Sequence, residues 1–302
     1  MASGNEFDIR EYLQFRKRMI DAALGGYLPP EDAYPPAIFQ AVRYSIFSGG
    51  KRIRPILCIA AAEAVGGKLD TVLPVACALE LIHTYSLIHD DLPAMDNDDF
   101  RRGHPTSHKV FGEAIAILAG DALLTEAFHI IASESVRQAV NHETLLQVIH
   151  DISEAAGLYG MVAGQAADIL SEGREPEITA LEFIHHRKTG AMIGVSVKSG
   201  ALLSDAGEGE IFALTEYGRN IGLAFQIADD ILNVAGDSQA MGKETGSDQR
   251  SRKLTYPALM GLEASRQKAQ SLIKEAVSSI SMLDHRADPL RMIANYVTAR
   301  EY

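Results

Sequence analysis

Apolar residues recur at helical spacing along almost the whole chain, and the alternation that marks strands is nearly absent. The pattern predicts an amphipathic helix over residues 6–24, stopped by Gly25-Gly26 and Pro29-Pro30, and a second from Pro36 to Ser48 with Gly49-Gly50 at its end. After the segment GGKRIRP at 49–55, helices are expected from about Pro55 to Val65 and from Asp70, a candidate cap, to Asp91, with Pro93 breaking the run. Further helices are predicted at 112–136, 142–156, 158–170, 177–188, 190–203 and 208–235. A polar, glycine-bearing loop over 236–253 precedes the last three, at 254–262, 263–283 and 288–300. The stretches 72–89, 114–131 and 219–235 are apolar nearly all round, which assigns them to the centre of a bundle. The fold class expected is an all-α bundle. It is read as one domain over residues 1–302, because no linker, repeat or low-complexity segment divides it.

The residues that interrupt these apolar helices carry the chemistry. The stretch LIHTYSLIHDDLPAMDNDDFRRG, 81–103, begins apolar and ends in Asp90, Asp91, Asp96, Asp98 and Asp99, with Arg101 and Arg102 behind. Each close carboxylate pair costs roughly 1 kcal/mol in water and nearer 4 at an effective dielectric of 20. Acids delivered by the buried run Ile82, Tyr85, Leu87, Ile88 therefore need a cation. The donors are hard oxygens, which suits Mg²⁺ shared with a substrate phosphate, and the two arginines add planar forks that fit phosphate. An acidic surface loop is the other reading of such a run taken alone. The segment FQIADDILNVAGD, 225–237, sets Asp229 and Asn233 on one helical face with Gln226 near it, inside apolar surroundings. Basic groups fall in four patches beside glycines and helix ends: Lys51 with Arg54, Arg101-Arg102, Lys188-Thr189-Gly190, and Lys243 with Ser251-Arg252-Lys253. That arrangement suggests two anion pockets. His83, two turns before Asp90, is either a phosphate contact or a core histidine; Asp168, three residues after Gln165, is either a surface residue or a further metal ligand.

Composition narrows the classes. With 302 residues, 47% of them hydrophobic, the chain is ordinary globular protein, and a net charge of −12 argues against a nucleic-acid partner. Cys58 and Cys77 sit in apolar runs and read as buried thiols of a reducing cytosol. The N-terminal stretch MASGNEFDIREYLQ has no apolar core of a signal peptide, and no segment reaches the ~18 uninterrupted apolar residues of a membrane span, so a cytoplasmic protein is expected.

DDLPAMD at 90–96 followed by RRG resembles the first Asp-rich motif of the trans-polyprenyl diphosphate synthases, and FQIADD at 225–230 resembles the second. GGKRIRP at 49–55, GQAADI at 164–169, KTG at 188–190 and GSDQ…KLTYPAL at 246–259 fall in the family's order, so the likeness runs over about 35–300. Within the family it is similar to bacterial farnesyl diphosphate synthases and the related short-chain geranylgeranyl enzymes. The resemblance implies an isoprenoid-synthase bundle around a deep central cavity, usually a homodimer. It implies a Mg²⁺-dependent prenyltransferase that condenses isopentenyl diphosphate with an allylic diphosphate, dimethylallyl or geranyl, by ionisation, condensation and elimination. The product implied is farnesyl diphosphate, with geranylgeranyl diphosphate as the alternative.

The catalytic set carried over is Asp90, Asp96, Asp229, Lys188 and Arg101. Asp90 and Asp96, with Asp168 assisting, would hold two Mg²⁺ on the allylic diphosphate, and Asp229 the last of about three. Arg101, Lys188, Thr189, Gln226, Lys243 and Lys253 would contact that diphosphate; Lys51, Arg54, His83 and Arg102 would bind isopentenyl diphosphate. Asn233 departs from the Asp that usually ends the second motif, so weaker binding of the third ion is expected, unless Asp237 compensates. Tyr85 lies about 7.5 Å down the helix from Asp90 at 1.5 Å per residue; it reads either as a core residue or, as the resemblance implies, as the residue that with Ser86 stops the growing tail near fifteen carbons. The rival from another class is a non-catalytic partner subunit, which would be expected to lose an acidic motif; both are present here. A terpene cyclase would not need the Lys51, Arg54 and His83 pocket.

Overall fold

Asp8 opens the first helix by accepting the backbone N–H of Arg10 at 2.8 Å, so α1 (Ile9–Tyr27) starts later than its periodicity suggests. It also runs through Gly25-Gly26 and ends at Leu28, ahead of Pro29-Pro30. Glycine costs a helix about 1 kcal/mol and proline about 3, so the prolines make the stop. The computed structural model describes residues 8–171, 173, 177–235 and 255–298. The predicted loop at 236–253, with Lys243, Lys253 and Asp237, lies outside them.

The helices that follow are α2 (Pro36–Phe47), α3 (Ile53–Ala64) and α4 (Leu69–Asp90). Asp70 lies in the first turn of α4, where it meets the helix dipole, and Lys68 occupies the cap position. A two-residue hairpin pairs Phe100–Arg101 with His104–Pro105 behind the acidic run. Then come α5 (Ser107–Phe111), α6 (Glu113–Ile131), α7 (Glu134–Ala139), α8 (His142–Ala156) and α9 (Met161–Ser171). The single helix expected over 112–136 breaks at Ser133, which starts α7 as its cap residue. α10 (Ile178–Ile184) continues into a π-helical turn, His185–Gly190, and directly into α11 (Ala191–Leu202). The elements expected at 177–188 and 190–203 are thus one rod with a widened turn in it. α12 (Glu208–Ala235), α13 (Tyr256–Met260), α14 (Leu262–Ser279) and α15 (Asp288–Thr298) complete the described chain.

Ten of the twelve residues of α3 are buried, and α4 is buried on every side from Val72 to Ile88, so these two helices form the centre. α6 packs against α4 along one face only, contrary to its apolar pattern. It packs Ala116, Ala119, Leu123 and Ala127 inward and leaves Ile117 43% and Leu118 53% exposed. By mean hydropathy two runs are long and apolar enough to cross a membrane, where uninterrupted apolar length indicated none: α4, 72% buried inside the bundle, and Glu113–Ala139, 39% buried. α11 and α12 touch backbone to backbone. A Cβ on Gly222 would stand 2.8 Å from the Cα of Gly190, and one on Gly218 would stand 3.0 Å from the Cα of Gly194. That close approach presses the π-turn carrying Lys188 against the helix carrying Asp229.

Candidate active site

Between the C-terminal half of α4, α9 and the π-turn lies a cavity of about 390 Å³. Arg54, His83, Asp90, Lys188 and Thr189 line its polar end; Tyr85, Ser86, Met95, Met161, Val162, Ala166 and Ile169 line the rest.

The chain leaving α4 folds back on itself, since the backbone N–H of Asp96 donates to the carbonyl of Asp90 at 2.9 Å. Burial raises the Asp90 carboxyl to about 6, and Asp96 and Asp91 add to the rise against the opposing pull of Lys188 and Arg101. Burial thus leaves the Asp90 charge costly even beside Lys188, and the carboxylates offer hard oxygens, a setting that fits Mg²⁺. Asp91 is treated differently. It is 3% exposed, and Arg101 Nε donates to both its oxygens at 2.8 Å. Arg101, expected to face the allylic diphosphate, is committed along that edge to Asp91 and stands 3.6 Å from Asp98. Asp99 pairs with Lys109 outside, at 2.8 Å.

The second acidic pair divides in the same way. Asp229 is half-buried on α12, and its charge opposes the fall in the Arg54 pKa. Asp230 is buried; it accepts the backbone N–H of Tyr256 at 3.0 Å and lies 3.4 Å from both Gln226 Nε2 and His185 Nε2. His185 stacks on the Tyr256 ring at 5.3 Å, and burial depresses its pKa to about 3, which keeps it neutral. In both pairs the first aspartate is half-buried and the second is buried against fixed partners. Gln226, expected on the diphosphate, bonds to the second Asp in this structure.

Lys188 Nζ stands 2.7 Å from Asp168 Oδ2, so an expected phosphate contact and an expected metal ligand hold each other. Gly164 permits this: a Cβ there would fall 2.2 Å from the backbone nitrogen of Lys188, and α9 could not approach the π-turn. On the other side, Arg102 donates to the Gly49 carbonyl, and a side chain at Gly50 would stand 2.6 Å from the Arg102 guanidinium. Burial lowers the pKa of Arg54, and burial with the field of Arg54 and Arg102 drives that of His83 well below its ordinary value. His83 is thus a neutral ring among guanidinium groups. Lys51 is exposed at the start of this segment.

Sequence reasoning missed Glu80 and Arg52, both nearly inaccessible. A lone acid in the run 72–88 was the available signal for Glu80. It missed His89, which lines the cavity, sits 3.0 Å from the Ile117 carbonyl and meets Tyr85 edge-on at 5.6 Å. A cluster of His150, Asp151 and Glu154 on α8 also has metal-ligand spacing, but Asp151 is paired with Lys198 at 2.6 Å and none of the three lines the cavity.

A profile of the Polyprenyl synthetase family matches residues 35–287. The chain is 45% identical over 297 residues to a farnesyl diphosphate synthase of Geobacillus stearothermophilus, covering 98% of this chain and 99% of that one. It is 45% identical over 295 residues to a geranylgeranyl diphosphate synthase of Cyanophora paradoxa, covering 97% of each. A solved FPP/GFPP synthase of Zymomonas mobilis superposes with a TM-score of 0.84 at 37% identity, over 96% of this chain and 98% of that one.

Proposed function

The chain belongs to the polyprenyl synthetase family and is a short-chain trans-prenyltransferase, and from that premise we propose that it builds farnesyl diphosphate from isopentenyl diphosphate and the allylic diphosphates dimethylallyl and geranyl. The observation that carries this reading is one cavity with Asp90, Lys188 and Arg54 at its polar end and Tyr85 on its apolar wall. Asp90, Asp96 and Asp229 would hold about three Mg²⁺, with Asp168 assisting. Bound Mg²⁺ supplies charge neutralisation of the leaving diphosphate. Lys188, Thr189, Arg101 and Gln226 orient that group, together with Lys243 and Lys253 from the undescribed segment. Lys51, Arg54, His83 and Arg102 seat isopentenyl diphosphate without metal.

The allylic C–O bond breaks with its electron pair going to diphosphate. The isopentenyl double bond supplies the pair for the new C–C bond. A proton then leaves to the departing diphosphate, so no side-chain nucleophile is needed. Met95, Met161 and Ile169 exclude water that would capture the cation. Chromatography of products from labelled isopentenyl diphosphate and dimethylallyl diphosphate tests the reading, and farnesyl diphosphate is expected. A geranylgeranyl product would move the chain to the alternative length, and no diphosphate release would favour the non-catalytic subunit.

Asn233 offers an amide oxygen where a carboxylate would add charge. The Asn233→Asp variant is expected to reach half-maximal rate at a lower Mg²⁺ concentration; equal titration curves would remove this idea. The exposed apolar stripe of α6, Ile117 and Leu118, supports a homodimer. Leu118→Arg is expected to sediment as a monomer where the parent sediments as a dimer. Cys58 and Cys77 are free thiols, which supports a cytoplasmic location. One buried apolar cluster from Ile20 to Val297 supports a single synthase domain over 1–302.

A further inference from the structure

Arg52 sits between Lys51 and Arg54 but turns the other way, into the protein. It is 2% exposed, and as the cap residue of α3 it adopts φ 54°, ψ 36°, a left-handed conformation that is strained for any residue with a Cβ. Something must hold it there, and three bonds do. Nε donates to Asp21 on α1 at 2.8 Å, Nη1 to Glu80 on α4 at 2.8 Å, and Nη2 to the Ile46 carbonyl on α2 at 2.6 Å. One guanidinium thereby fixes the start of α3 against three other helices. Burial works against its charge, but Glu80 and Asp21 outweigh burial and hold its pKa above the ordinary value.

Glu80 is 1% exposed, and its second oxygen has no hydrogen-bond partner among the described residues. Its field opposes the loss of charge on Arg54 and on Arg102. A buried carboxylate with one bare oxygen is expensive as a device for stability alone, because an apolar pair of the same volume would serve as well or better. What that pair could not supply is a fixed backbone turn aiming Lys51 and Arg54 from the two sides of Arg52.

We propose that Glu80 and Arg52 are positioning residues for the metal-free diphosphate pocket: the buried Asp21–Arg52–Glu80 strut locks the left-handed turn that presents Lys51 and Arg54 to the second diphosphate. This rests on the reading of Lys51, Arg54, His83 and Arg102 as that pocket. The strut touches neither acidic motif, so its effect falls on one substrate.

The test is steady-state kinetics of the full-length enzyme with each substrate varied in turn. Glu80→Gln keeps length and removes charge; Glu80→Asp keeps charge and withdraws it by one methylene. Both are expected to raise the KM for isopentenyl diphosphate, by about tenfold for Glu80→Gln (~1.4 kcal/mol), with kcat and the allylic KM within about twofold of the parent. Asp21→Asn removes the more exposed anchor and is expected to act in the same direction; it decides on the same terms if Glu80→Gln yields no folded protein. A fall in the isopentenyl KM on Glu80→Gln would make Glu80 a brake on anion binding and overturn the strut. Equal increases in both KM values would make it a general structural element and also overturn it. Lys51→Met separates the two levels. If it leaves the isopentenyl KM unchanged, the reading of the pocket fails; if it raises that KM and no strut variant does, only the inference fails.

Discussion

Replacing Asp90 by asparagine is expected to lower kcat by at least about a thousandfold, the equivalent of about 4 kcal/mol of transition-state stabilisation. Ionisation separates charge. The carbon fragment is stabilised only by its own delocalisation, so the barrier depends on how well the negative charge arriving on diphosphate is met. Asp90 lies at the polar end of the cavity with Lys188, and its carboxyl is already raised to about 6 by burial and by Asp96. Its charge in the folded protein is costly unless a cation shares it. Asparagine keeps the shape and removes that charge, so a cation would be held more weakly there and the charge arriving on the leaving group would be met less completely. Two companion measurements distinguish this from damage to the fold. In Mg²⁺-free buffer the variant is expected to be no less stable than the parent, because the group removed was an under-compensated carboxylate. Joining Asp90→Asn to Asp229→Asn is expected to cost much less than the product of the two single losses, since both act through the same departing diphosphate. A drop in kcat below tenfold for Asp90→Asn would detach this residue from the chemistry.

The neighbouring acid gives the contrast. Asp91→Asn leaves Arg101 facing a buried amide in place of a carboxylate. Periodicity could not separate Asp90 from Asp91, or Asp229 from Asp230. Adjacent residues on a helix point about 100° apart, but which direction holds the cavity is decided by helices far away in sequence. The helices themselves were legible, because a repeat of 3.6 residues is a local property and the chain's glycines and prolines mark most of its ends. The π-turn at His185–Gly190 was not. It depends on Gly164 of α9 and Gly222 of α12 closing on the same turn from two sides, a tertiary contact with no local signature. The one-sided burial of α6 was hidden for another reason: an apolar face left exposed looks, in sequence, like one that meets the core. Asp168 and Lys188, read from separate motifs, turned out to be ion-pair partners, and only their facing helices could say so.

The product is expected to lengthen from fifteen to twenty carbons and beyond when Tyr85 becomes alanine. Tyr85 and Ser86 line the cavity one to two turns below Asp90, on the helix that presents the reacting diphosphate. On the proposed reading, a tail growing from that diphosphate would run down this wall and meet the Tyr85 ring, which is 7% exposed and braced edge-on by His89. His89 is in turn tied to the Ile117 carbonyl and fills the space beside Gly120, so it is not free to swing into a vacancy left by the phenol. Ser86 is too small to fill it. Deleting the ring therefore leaves room that persists, where a collapsible site would close over. Such a deletion in a tight core costs about 3–5 kcal/mol, and less is expected here because the ring already borders open space. The rate of the first condensation is expected to stay within about threefold of the parent, since Tyr85 lies away from the diphosphates and substrates as short as dimethylallyl diphosphate do not reach it. Tyr85→Phe keeps the ring and is expected to leave product length unchanged. If Tyr85→Ala also leaves it unchanged, the stop lies with Met161 and Ile169 on α9, the opposite wall of the same cavity.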